Sequence, residues 1–304
     1  MFSWRLMVSI GIRSSNVIRC LLCALLGGAQ VAAQEPAKES GQPSTQSASA
    51  KGPIQDNSFL IEEAYNQEAG VVQHISAFTM QRATRVWVYA FTQEWPLFSQ
   101  RHQLSFTLPV VSAGRGTGSG VGDLALHYRY QLADGTRSGV LAAPRLSLLV
   151  PSGNARRERG AGGAGVQVNL PITVEHSAHF VTHWNAGATV TPSARNALGN
   201  VATTRSYNVG GSMIWLTWSA LNVMLEVAWA RDEAVSGPGE RAPDQSLFIA
   251  PGVRGAIDLP IGLQIVPGVA APIGIGPSRG DRKYFLYLSF EHPFSRRSKG
   301  SPSP

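Results

Sequence analysis

The stretch GDLALHYRYQL changes sides with every residue. Leu124, Leu126, Tyr128, Tyr130 and Leu132 share one face, while Asp123, Ala125, His127, Arg129 and Gln131 share the other. A period of two is the mark of a β-strand with different surroundings on its two faces. The pattern recurs in TRVWVYAFTQ (Trp87, Tyr89 and Phe91 on one side), in HQLSFTLPV (Leu104, Phe106, Leu108) and in ALNVMLEVAWA (Leu221, Val223, Leu225, Val227, Trp229). Helical spacing fails in all four.

Extended along the chain, this reading gives about twelve strands, near 70–80, 85–94, 101–110, 120–132, 139–150, 164–174, 178–190, 205–217, 220–230, 245–256, 262–271 and 283–294. Most approach the ~9–11 residues that a tilted strand needs to cross a bilayer, whereas strands of soluble sandwiches run nearer ~5–6. Connections after even-numbered strands are short (ADGTRS, EHSA, SA, DLPI). Those after most odd-numbered strands are longer and rich in glycine or charge (SAGRGTGSG, SGNARRERGAGG, IGIGPSRGDR), with the first hairpin, near Arg82, as the exception. Only 15% of residues are charged, yet no long apolar run compensates. The expected fold class is therefore all-β, a transmembrane antiparallel up-and-down β-barrel with both ends of the chain on one side.

The N-terminal 33 residues carry Arg5, Arg13 and Arg19 ahead of the short apolar CLLCALLGGAQVAA, the pattern of a secretory signal peptide rather than a spanning helix. Both cysteines, Cys20 and Cys23, fall inside it, so the mature chain is expected to have no disulfide, Cys-ligated metal or thiol nucleophile. Removing those residues takes three Arg from a net charge of +7, leaving +4, and the tail at 295–304 holds three more cations. The body is then close to neutral, and nothing in it suggests nucleic acid. Residues 34–57, almost without large apolar side chains, read as a disordered leader, with the barrel spanning 58–294.

Motifs with chemical promise dissolve on inspection. GAGGAG (160–165) has the glycines of a dinucleotide cradle but leads into VQVNLPITV, another strand, so no cofactor is implied. His179 and His183, like Asp123 and His127, lie four apart; on a strand that separates them by ~13 Å, too far for one metal ion. No metal or catalytic set is selected, although serines near histidines keep a membrane hydrolase of the phospholipase type as a rival. Asp123, His127, Arg129, Arg145, His179, His183, Glu226, Arg254 and Glu291 are read as inward-facing. They line either a wet passage or a salt-bridged, closed interior. Arg156, Arg157 and Arg159 crowd one outer loop, where they either suit lipopolysaccharide phosphates or simply meet solvent.

The stretch SFLIEEAYNQEAGVVQHI places Glu62, Glu63 and Glu68 just ahead of the first strand. Phe59, Leu60, Ile61 and Tyr65 can pack as an amphipathic turn while the carboxylates meet water or lumen arginines. Residues 58–69 are thus expected to form a latch or partial plug at the barrel mouth, with Glu62, Glu63, Tyr65 and Glu68 as its contact residues.

This block and GVGDLALHYRYQL resemble the bacterial outer-membrane family described as MetA-pathway phenol-degradation proteins, a transporter-like group, over roughly residues 58–294. The resemblance implies a barrel that passes or binds small solutes, aromatic or hydrophobic ones among them, and it transfers no binding or catalytic residue. The functional expectation is a passive, non-enzymatic outer-membrane channel. Its expected partners are outer-membrane lipid, lipopolysaccharide, small solutes and the barrel-assembly machinery. The alternatives are a closed structural or surface-interaction barrel and the hydrolase.

Overall fold

The computed structural model describes residues 58–293 apart from 117, 219 and 260–262. The expected signal (1–33), leader (34–57), tail (295–304) and terminal aromatic Phe294 lie outside the described residues. Within them the alternation resolves into a closed antiparallel barrel of 12 strands.

In chain order these are β1 (Val71–Gln81), β2 (Trp87–Leu97), β3 (Ser99–Ser112), β4 (Ser119–Val121 with Leu124–Tyr130), β5 (Val140–Ala142 with Arg145–Val150) and β6 (Gly165–Ser177). They continue as β7 (Phe180–Arg195), β8 (Val201–Trp218), β9 (Leu221–Gly237), β10 (Glu240–Gly255), β11 (Gln264–Ala270 with Ile273–Gly274) and β12 (Lys283–Pro293). Each pairs with its sequence neighbours. The last returns to the first in unbroken register, from Val71 opposite Pro293 to Gln81 opposite Lys283. Closure leaves no unpaired sheet edge, which a sheet surrounded by lipid cannot tolerate. Val71, Pro293 and the connections after even-numbered strands gather at one end, the turn end; the other connections form the loop end.

The faces separate as the alternation requires. Along β4, Leu126 and Tyr128 are exposed while Ala125, His127 and Arg129 are buried. Along β5 and β6 the exposed side chains are Leu146, Leu148, Val166, Val168 and Leu170. Outward aromatics collect near the turn end, where Phe180 meets Trp215 at 5.5 Å and Trp95 meets Phe106 at 6.2 Å, and again toward the loop end in the Phe78–Trp87 pair at 5.9 Å. Such belts mark the two interfaces of a membrane.

One expectation about the loops changes. Residues 191–204 and 231–244 read as long loops, but β7–β10 run 16 to 18 residues each and absorb most of both. Here the ladder continues past the apolar band: Asp232 stands opposite Asp244, and Arg241 Nε reaches Glu233 at 3.2 Å. Both faces are polar at this height, so the hydrophobic alternation fades although the hydrogen-bonded strand does not.

Candidate functional site: a segment folded into the barrel

Residues 58–67 enter the barrel and cross its interior before the chain turns at Gly70 into β1. Ser58, Phe59, Glu63, Asn66 and Gln67 are each at most 2% exposed. The expected latch at the mouth is therefore displaced: the segment sits inside the lumen, where the barrel wall supplies partners for Ser58, Glu62, Tyr65 and most of the backbone N–H groups from Phe59 to Gln67.

Its first half lies against β8–β12. Ser58 Oγ meets Ser212 Oγ at 2.6 Å, and the carboxylate of Glu226 accepts the backbone N–H groups of Phe59, Leu60 and Ile61 at 2.9–3.2 Å. Three donors converging on one carboxylate compensate for its burial. The ring of Phe59 packs 5.1 Å from Phe285 and 5.5 Å from Tyr287, in a cluster with Ile75, Ile214, Met224 and Val266. Space for that ring comes from Gly252 and Gly268, since a Cβ on either would collide with it. Gly210 makes the same room for Ile61.

The second half meets β3–β7. Glu62 receives Arg129 Nη1 at 3.3 Å, Arg145 Nε at 3.0 Å and Asn169 Nδ2 at 2.6 Å. Asn185 brackets the same residue, accepting its N–H at 2.8 Å and donating to its carbonyl at 2.6 Å. Ala64 N–H donates to Thr173, Asn66 N–H to Gln131 and Gln67 N–H to Gln103. Arg129 also donates to the Tyr65 carbonyl and to Asn66 Oδ1. Burial holds the Glu63 carboxyl, which lies outside the spanning strands, well above the ordinary value of 4.5. Arg129 opposes that shift, whereas Glu94 and Glu62 add to it.

No family model matches the chain, and no curated protein matches its sequence. Solved structures do match in shape. A NanC porin superposes with a TM-score of 0.50 at 7% identity, over 71% of this chain and 98% of the porin. An outer membrane channel from Pseudomonas putida F1 superposes with a TM-score of 0.50 at 12% identity, over 75% of this chain and 97% of the channel. The fold is that of outer-membrane porins.

The inserted segment leaves two spaces. A small polar crevice beside Glu62 is lined by Glu94, Gln103, Thr107 and His127. On the loop side of Leu60 and Ile61 lies a larger chamber, open to solvent and walled mainly by apolar side chains.

Most residues expected to line the lumen turn inward and are buried, but they do different work. Arg129, Arg145 and Glu226 hold the segment, and His183 packs its ring 6.2 Å from Tyr65 while its Nδ1 meets Thr173 at 2.7 Å. Glu291 accepts from Gln73 Nε2 at 2.7 Å, and Arg254 is 1% exposed. Among the latch residues, Glu62 and Tyr65 bind the wall, the latter donating through its hydroxyl to Glu175 at 2.9 Å, and Glu68 is half-buried below them.

Three placements differ from expectation. His179 is exposed in the turn before β7, because a register shift at Phe180/Val181 resets the parity on which an inward position depended. Asp123 is buried at the loop end and binds the backbone N–H groups of Gly153 at 2.9 Å and Ala161 at 2.6 Å, so it fastens a loop rather than lining a passage. Arg159 is buried with its guanidinium beside Gly120, so of that loop's three arginines Arg156 and Arg157 stay exposed.

His127 Nδ1 lies 2.8 Å from Ser147 Oγ, the kind of pair a hydrolase would use, but Arg145 Nη1 lies 2.6 Å from the same nitrogen. A guanidinium only donates, so that lone pair already accepts a hydrogen bond and is not free to take the serine proton. The neutral amides Asn169, Asn185, Gln103 and Gln131 were not among the site residues expected from the sequence. Inward position in an alternating strand was the one signal that marked them.

Proposed function

We propose that this protein is a passive channel of the Gram-negative outer membrane for small solutes, aromatic or hydrophobic ones among them, and that the inserted segment acts as its stopper. The turn end then faces the periplasm and the loop end the exterior. One observation carries the reading: the lumen is filled by a segment that contributes no strand to the sheet and is held mainly by side-chain contacts. A barrel closed by its own packed side chains would have no removable part. The porin and channel that share the fold favour the same reading.

The exposed Arg156 and Arg157 remain suited to lipopolysaccharide phosphates in that orientation. Deleting residues 58–67 and reconstituting the barrel in planar bilayers tests the stopper. Single-channel conductance is expected to rise severalfold over the intact chain. A deleted barrel that folds, yet passes neither ions nor a small aromatic solute, would overturn the channel and leave a structural role.

A further inference from the structure

The chamber above Leu60 and Ile61 is lined on its apolar side by Ala77, Val88, Ala90, Ala230 and Phe285. One cation enters it. Lys283, the first residue of β12, is 6% exposed and holds its Nζ 3.9 Å from the centroid of the Phe248 ring. None of the chamber's other lining residues is charged. A buried ammonium without a carboxylate is costly, and a ring face repays only part of its lost hydration. The Lys283 side chain points inward, whereas its neighbour Tyr284 and Leu286 are exposed on the outer face.

We propose that this chamber is a binding site for small organic monocarboxylates with a compact apolar or aromatic body. The carboxylate pairs with Lys283, and the body lies against Phe248, Phe285 and the alanine wall, with Leu60 and Ile61 as the floor. The chemistry is selective in both directions. A neutral aromatic leaves Lys283 without an anion, and a dicarboxylate places a second charge on apolar surface. Ser246 and Thr79, on the same lining, add hydroxyl groups within the chamber. The site deepens the channel reading by naming a solute class, and it rests on that reading for its biological use.

The test measures binding of benzoate and of neutral benzamide to the full chain in detergent by titration calorimetry, and then their entry into proteoliposomes. Benzoate is expected to bind at least tenfold more tightly than benzamide. Lys283→Met should abolish that preference while leaving benzamide unchanged, and Lys283→Arg should restore most of it. Heat-modifiable gel mobility confirms that each variant keeps its barrel. Equal affinity for the two probes, or a preference that survives Lys283→Met, overturns the site. Selective benzoate binding with no solute entry, even after deletion of residues 58–67, sustains the site and sinks the channel instead.

Discussion

The two walls of the lumen hold the same ten-residue segment by opposite means. On the side of β8–β12, Phe59 and Ile61 fill hollows left by Gly210, Gly252 and Gly268, and one carboxylate, Glu226, gathers three backbone N–H groups. On the side of β3–β7, two guanidinium groups and several amides close around Glu62. The first wall works by shape and the second by charge. Shape complementarity fails gradually as atoms are trimmed, whereas a buried ion network fails abruptly when its central member goes.

Glu62 is the most sensitive point of that contrast. Replacing it by alanine leaves Arg129 and Arg145 buried without their anion, a loss of about 3–5 kcal/mol for a broken buried pair. Docking of the segment should weaken by more than a hundredfold. Chymotryptic cleavage at Tyr65 in the folded barrel reads this directly, and a variant as resistant as the parent would show that the charged wall contributes nothing. Phe59→Ala attacks the other wall. Truncating a buried aromatic costs about 3 kcal/mol at the low end of its range, and cleavage should rise less than for Glu62→Ala. The reverse order would mean that shape, not charge, dominates.

Glu226→Gln is milder. The amide oxygen still accepts N–H groups but without the charge that strengthens them, a loss of about 1–2 kcal/mol. Bilayer recordings should show brief openings absent from the parent, and silence would indicate that Phe59 alone suffices to hold this half.

The barrel was legible because its signal is local. Each strand declares its faces through neighbours two residues apart, and all 12 appear near their expected positions. The path of residues 58–67 was not, since its partners lie 36 to 167 positions away and no period encodes them. His179 failed for a narrower reason: parity counting assumes an unbroken ladder, and the shift at Phe180/Val181 breaks it. Two clues to the plug were nevertheless present. Gly210, Gly252 and Gly268 interrupt otherwise well-patterned strands at inward positions, which signals close approach by another part of the chain. The segment also carries two acids and no base, opposite inward arginines. Lys283 gave no comparable sign, because a cation at the start of a strand reads as solvated until Phe248 is seen beneath it.

The smallest effect expected is a dependence on pH, and it divides the two walls most finely. Glu63 is fully buried between Glu62 and Arg129, and burial raises its carboxyl well above the usual 4.5. The docked segment therefore keeps a proton that the released segment sheds. Docking is fully supported below the ordinary carboxylate range and weakens as pH climbs through the raised value, because the docked state must then ionise a fully buried carboxyl. Glu94 and Glu62 favour the neutral form while Arg129 opposes it, so the slope should be shallow. Conductance of the intact chain should rise gently from pH 5 to pH 8, and Glu63→Gln should flatten that profile without changing its acid end. A slope that persists in Glu63→Gln would move the titration elsewhere in the lumen, to Glu94 or Glu226, and would make the stopper's release a property of the wall rather than of the segment it holds.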